Sequence, residues 1–149
     1  TSAERATLGE VLLNPTRIYV DPIIDLIEAC RDGSGPCESS DVKAIAHITG
    51  GGLSNLLRLH ESLGWHIDAP LPAPPEFIWI AAAGPVEARE MHRVFNMGMG
   101  MVVVVTEGVA NSVEVWIAER LPGSRRVGFV NDDGHRVTHA DSSVVFEHY

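Results

Sequence analysis

The chain has 149 residues, the usual size of one domain, and a chain of that length buries about two thirds of its unfolded surface. Hydrophobic residues make up 45 %, so a packed core is feasible and wholesale disorder is excluded. Twenty acidic residues against eleven basic ones leave a net charge of −9, which argues against a nucleic-acid or anionic-membrane surface, since both need a basic patch. Lys43 is the only lysine and the other ten basic residues are arginine, which reads as genome composition or a salty habitat.

TLGEVLLNP carries Leu8, Val11 and Leu12 at helical spacing and stops before Pro15. PTRIYV follows as an extended stretch. Asp21 before Pro22 reads as an N-cap with proline at the first helical position, opening an amphipathic helix over 22–31. DGSGPCESS is a surface loop, and VKAIAHIT is a short strand. After three consecutive glycines, a helix is expected over 52–62, with Gly64 as its stop. WHIDAP is a strand and LPAPP a turn, and Pro74 and Pro75 open a helix that carries Phe77, Ile78 and Ile80. VEAREMHRVF is a further short helix with Met91, Val94 and Phe95 on one face. GMVVVVT is a buried strand, and 109–121 is amphipathic with Val109, Val113, Trp116, Ile117 and Leu121 inward. RRVGFVN and HRVTHA read as a hairpin about Asp133-Gly134, and SSVVFEH as a last strand. The mixture predicts an α+β single domain, 1–149, with helices packed on a mixed sheet. The strands at 42–48 and 101–106 are expected at its centre, because both are apolar along their length.

The longest apolar runs, such as MVVVV, are far too short to span a bilayer, and TSAERATLGE is too polar for a signal peptide. A cytoplasmic protein is expected. Cys30 and Cys37 flank RDGSGP. A disulfide closing that loop is geometrically possible, and two unlinked thiols of an intracellular protein are the favoured reading. No CxxC or HExxH occurs, so no metal ligands are assigned. His60, His66, His92, His135, His139 and His148 match no metal spacing and are read as surface residues.

Three stretches carry candidate chemistry. The first is HITGGGLSNLL, residues 47–57. Glycine weakens a helix or strand by roughly 0.5–1 kcal/mol relative to alanine, so three in a row need a reason. One reason is a tight strand-to-helix turn. The other is close approach of backbone N–H groups to an anion at a helix start, with the N–H groups of Gly50, Gly51 and Gly52 converging on one concave patch. The run is neither GxGxxG nor GxxxxGK[ST]. Thr49 and Asn55 would add hydroxyl and amide contacts, and His47 is the candidate general acid or base. The second stretch is FNMGMGM, residues 95–101, whose alternating glycines allow close approach or a bulge. Asn96 and Gly98 are its candidate binding residues. The third is NPTRIYV, where Arg17 is placed to hold a phosphate or carboxylate, or forms a surface ion pair.

PTRIYV, AHITGGGLSNL and FNMGMGM, in that order, resemble the C-terminal half of the aminoimidazole ribonucleotide synthetases, also called phosphoribosylformylglycinamidine cyclo-ligases. PAPPEFIWIAAAGPVEAREMHRVFN resembles the family's stretch between the second and third of these, so the likeness covers about residues 8–131. The CRDGSGPCESS loop is longer than the family pattern. The wider group includes formylglycinamidine ribonucleotide synthetase and selenophosphate synthetase and is built from two α/β domains. The resemblance implies that an N-terminal domain carries ATP and magnesium and dimerises, while the C-terminal domain contacts the substrate, formylglycinamidine ribonucleotide. It implies a reaction in which ATP phosphorylates the formamide oxygen, a nitrogen attacks that carbon, and phosphate leaves. A glycine-lined helix start suits either phosphate group. The sequence is expected to lack the ATP-binding half, so the chain alone is expected to bind neither ATP nor magnesium and to be inactive. The alternative is a non-catalytic domain that binds a nucleotide-like anion or a partner protein.

Overall fold

The computed structural model describes residues 7–149, so TSAERA lies outside the described residues. Helix α1 (Leu8–Leu12) starts at Thr7, whose hydroxyl accepts from the Glu10 N–H while the Glu10 carboxylate accepts from the Thr7 N–H. Helix α2 spans Val20–Asp32 and ends at Gly33, which takes the left-handed conformation at φ 82°. Its N-cap is Tyr19 rather than the expected Asp21. Pro22 therefore sits inside the first turn, where its missing N–H has no helical partner to lose.

Strands β1 (Val42–His47) and β3 (Met101–Val105) pair antiparallel as a two-stranded ladder, with His47 opposite Met101. A second, mixed sheet contains β2 (Gly64–Ile67), β4 (Phe129–Asn131), β5 (Arg136–His139) and β6 (Val145–Phe146) in the order β4-β2-β5-β6. β2 and β5 run parallel, and the other neighbours run antiparallel. Helices α3 (Pro75–Ala83) and α4 (Ala88–Val94) connect β2 to β3, and α5 (Ala110–Arg120) follows β3. The class is α+β with a mixed sheet, as expected.

Several local expectations are corrected. β1 and β3 are not central; each has one unpaired edge among the described residues, and β3 is half-buried along its length. Its valines are apolar because they line a cleft shared with α5, not because sheet flanks them on both sides. The glycine triplet leads into a 3₁₀ helix at Gly52–Leu59 rather than an α-helix to residue 62, and Gly64 opens β2 instead of stopping that helix. The Asp133-Gly134 turn does not close a hairpin, because β2 inserts between β4 and β5. Gly64 permits this. A Cβ there would collide with the side chains of Asp133 and Asn131, which fold over it to reach His66.

His66, His92 and His139 are half-buried rather than surface residues. His66 ties three strands together: Nδ1 lies 2.7 Å from Thr138 Oγ1, and Nε2 lies 3.0 Å from Asn131 Oδ1 and 3.1 Å from Asp133 Oδ1. Arg136, on the other side of Asp133, is the main cause holding that carboxyl below its usual pKa. His92 donates from Nδ1 to Ala88 O at 2.9 Å, and its ring sits 4.6 Å from that of His139. Burial, and then His92, lower the pKa of His139.

The core forms where the 3₁₀ helix meets both sheets. Leu53, Leu56 and Leu57 pack with Ile48, Trp65, Val137, Val144 and Phe146. Each such side chain contributes about 1.5–3 kcal/mol by leaving water. The segment after the glycines is thus the centre of the hydrophobic core, and the glycine turn is held by it.

Candidate functional site

The β1–β3 ladder joins two of the three candidate stretches. Ile48 N–H donates to Gly100 O at 2.9 Å, so HITGGG and FNMGMGM lie side by side. Tyr19 brings in the third. Its ring sits edge-on to His47, with centroids 6.0 Å apart, and its hydroxyl fills the space that a Cβ on Gly100 would occupy. Residues far apart in sequence therefore converge through one tyrosine and one glycine. Arg17, two residues earlier, points elsewhere: it is exposed and donates to Pro122 O at 3.3 Å.

The three glycines differ from one another. Gly52 is buried at φ 54°, and a Cβ there would collide with the His92 carbonyl of α4. Its N–H donates to Thr49 O at 2.9 Å. Gly51 sits at φ 96°, with Asn55 Nδ2 and the Tyr149 ring 3.2 and 3.3 Å from an added Cβ. Gly50 is exposed, lies outside the positive-φ region, and has nothing within 4 Å of an added Cβ. The three N–H groups do not converge, because the Gly52 N–H is consumed inside the turn. Those of Gly50 and Gly51 have no hydrogen-bond partner among the described residues.

Asn55 locks this turn. Only 5 % exposed, it donates to Gly50 O at 3.1 Å and Gly52 O at 2.8 Å, with Thr49 O at 3.5 Å. Its amide nitrogen is thus spent on the protein's own carbonyls. Asn96 behaves similarly, with Oδ1 accepting from Gly98 N–H at 3.0 Å. Gly98, at φ 96°, packs against the Pro72 carbonyl, 2.9 Å from an added Cβ. His47 and Thr49 are exposed.

Gly50 and Gly51 line a hollow of about 570 Å³ together with Ser54, Arg89, Arg93, Val94, Phe146, His148 and Tyr149. Of the sequence candidates, only these two glycines border it. Arg89 donates from Nε to Val145 O at 3.1 Å and lies 5.3 Å from the Phe146 ring centre, leaving its other N–H groups without a protein acceptor among the described residues. Arg93 pairs with Glu90 at 2.9 Å. Sequence reasoning missed both arginines. The available signal was their spacing of four on a helix, which puts them on one face. Cationic guanidinium groups beside unbonded backbone N–H groups make this hollow suited to an anion.

A second, larger cleft of about 600 Å³ lies between the ladder, α5 and β2. Val102–Val105, Leu56, Trp65 and Ile117 make it apolar, so it does not suit a phosphate. Among the described residues no helix is long and apolar enough to cross a membrane.

This fold and hollow define a small α+β domain with a glycine turn at the edge of an arginine-bearing hollow. Residues 1–140 match the family described as AIR synthase related protein, C-terminal domain, and the chain belongs to that family. It is 39 % identical over 132 residues to a phosphoribosylformylglycinamidine cyclo-ligase of Methanothermobacter thermautotrophicus, covering 89 % of this chain and 35 % of that protein. It is also 39 % identical over 139 residues to the protein of that name from Methanopyrus kandleri, covering 93 % of this chain and 37 % of the relative. The chain thus spans a little over a third of the length of these relatives.

Proposed function

We propose that the chain is the C-terminal, substrate-side part of a cytoplasmic, homodimeric phosphoribosylformylglycinamidine cyclo-ligase, which uses ATP to close the imidazole ring of formylglycinamidine ribonucleotide. The relatives' name and the order of the three stretches support this reading. Among the described residues no three of His, Cys, Asp and Glu gather in a way that would hold a metal. The contribution assigned to the residues of this chain is anion binding. Gly50 and Gly51 supply N–H donors to a substrate phosphate, and the Arg89 and Arg93 side chains supply positive charge. His47, steadied by Tyr19, is the proton-handling group. Preoriented backbone donors need little reorganisation when charge develops, which is how such a turn accelerates a reaction.

The observation that carries the reading is Gly50. Its neighbours demand glycine for internal reasons, whereas a Cβ added at Gly50 would meet nothing within 4 Å among the described residues. The test is ADP release, coupled to formylglycinamidine ribonucleotide, by the full polypeptide carrying this chain. Turnover is expected from the full polypeptide and none from the 149 residues alone. Gly50→Val should abolish turnover while leaving the fold intact. Full activity of that variant would refute the phosphate role.

A further inference from the structure

Cys30, at the end of α2, and Cys37, in the following loop, are free thiols with their sulfur atoms 3.5 Å apart. The loop between them is held in place at several points. Gly33 turns the chain at φ 82°, a conformation that L side chains rarely adopt. Gly35 then lies flat on the helix end, where a Cβ would come within 2.6 Å of Cys30 N, and its N–H donates to Ala29 O at 2.8 Å. Asp32 Oδ1 accepts from the N–H of Ser34 at 2.9 Å and from its hydroxyl at 2.6 Å. Beyond Cys37, Glu38 N–H donates to Asp41 Oδ2 at 3.3 Å. Both glycines are required by this path, and the path delivers one sulfur to the other. The remaining approach to a bond length of about 2.05 Å is roughly 1.5 Å, within reach of side-chain rotation.

We propose that Cys30 and Cys37 are a redox site that forms a reversible disulfide, pinning the 33–37 loop across the end of α2. The oxidant is a small disulfide of the glutathione class. Cys37 is half-exposed and Cys30 is only 3 % exposed, which sets the order of events. The Cys37 thiol loses its proton to solvent and attacks one sulfur of the oxidant, breaking its S–S bond and releasing one thiolate. Cys30 then loses its proton and attacks the sulfur of Cys37, releasing the second thiolate. Two protein thiols are oxidised and one oxidant disulfide is reduced to two thiols. Burial, the hydrogen bond with Cys30 and the nearby Asp41 and Glu38 push the Cys37 thiol up to about 11. Few molecules carry the thiolate at neutral pH, so exchange is slow there.

The experiment equilibrates the full polypeptide with oxidised glutathione at about pH 8.5, quenches free thiols with an alkylating agent and digests with trypsin. Trypsin cuts at Arg31, between the two cysteines. The expected product is peptide 18–31 joined to peptide 32–43 at the sum of their masses less two hydrogens, lost again on adding excess reduced glutathione. Separate glutathione adducts on each peptide, or two alkylated thiols, overturn the proposal. In Cys37→Ser, Cys30 is expected to stay unmodified in the folded protein; glutathione on Cys30 as fast as on wild-type Cys37 overturns the order of attack. The thermal midpoint is expected to rise on oxidation in the wild type and not in Cys37→Ser. An oxidised wild type that melts at or below the reduced one also overturns it.

Discussion

Alanine substitution at each of the three glycines separates folding from binding. At Gly52, two penalties combine. A left-handed backbone with a Cβ costs about 1–2 kcal/mol, and overpacking of a close-packed site costs about 1–3 kcal/mol. The overpacking is against backbone, since the added carbon meets the carbonyl oxygens of His92 and Phe95, so α4 as a whole has to move. Gly52→Ala is expected to lose roughly 2–5 kcal/mol. Gly51→Ala keeps the φ penalty, but its neighbours are side-chain atoms at 3.2 and 3.3 Å that can give way. It should lose about 1–2 kcal/mol. Gly50→Ala meets nothing, and restricting the unfolded chain should leave it unchanged or about 0.4–1 kcal/mol more stable. Urea unfolding with unchanged m-values measures all three. The ordering Gly52, Gly51, Gly50 is the claim. A Gly52→Ala protein as stable as wild type, or a Gly50→Ala protein weaker by more than about 1 kcal/mol, refutes the reasoning. The same series shows why Gly51 is a poor probe of ligand binding: its substitution perturbs the turn itself.

Leu56→Ala removes a side chain buried between the glycine turn and both sheets and should lose about 2–5 kcal/mol in urea unfolding. Asn55→Ala leaves the Gly50 and Gly52 carbonyls without their amide donor and should lose about 1–3 kcal/mol, with faster hydrogen exchange across 49–55. His139 has its pKa lowered by burial and by His92, so the unfolded chain takes up a proton before the folded one does. Its contribution is therefore present above about pH 6.5 and is lost as pH falls below it. The urea midpoint of wild type should drop more than that of His139→Gln between neutral pH and pH ~5.5; equal drops would remove His139 from the account.

Elements whose signal is local were legible in the sequence. The apolar spacing of α1, of α2 and of α5 depends on residues within a turn or two, and each helix appears within a few residues of where it is expected. Pairing was less legible, because it depends on which distant strand arrives. Asp133-Gly134 does make a turn, yet β2 comes between the strands it joins, and only the missing side chain of Gly64 hints at that. The apolar run 101–105 carries no mark to distinguish a cleft wall from a sheet interior. The 3₁₀ form of 52–59 was equally hidden, since leucines at positions 53, 56 and 57 fit either helix. At the candidate site, the glycines were visible but their division of labour was not. Arg89 and Arg93 were read only as part of a short helix, because what makes them notable is the turn they face.

The convergence on Tyr19 bears on how the resemblance and the chemistry fit together. PTRIYV, HITGGG and FNMGMGM are recognisable because several of their residues have no freedom: Gly100 must admit Tyr19, Gly52 must admit the His92 carbonyl, and Gly98 must admit Pro72. Those constraints concern how backbone segments touch, and they would hold in a domain that binds nothing. A family likeness built on them is therefore strong evidence of fold and indirect evidence of chemistry. Gly50 is different in kind, since a Cβ added there would meet nothing within 4 Å among the described residues. Its N–H is exposed, unbonded among the described residues, and borders the hollow that Arg89 and Arg93 also line. A substitution there that spares stability and removes turnover is the result that joins the two.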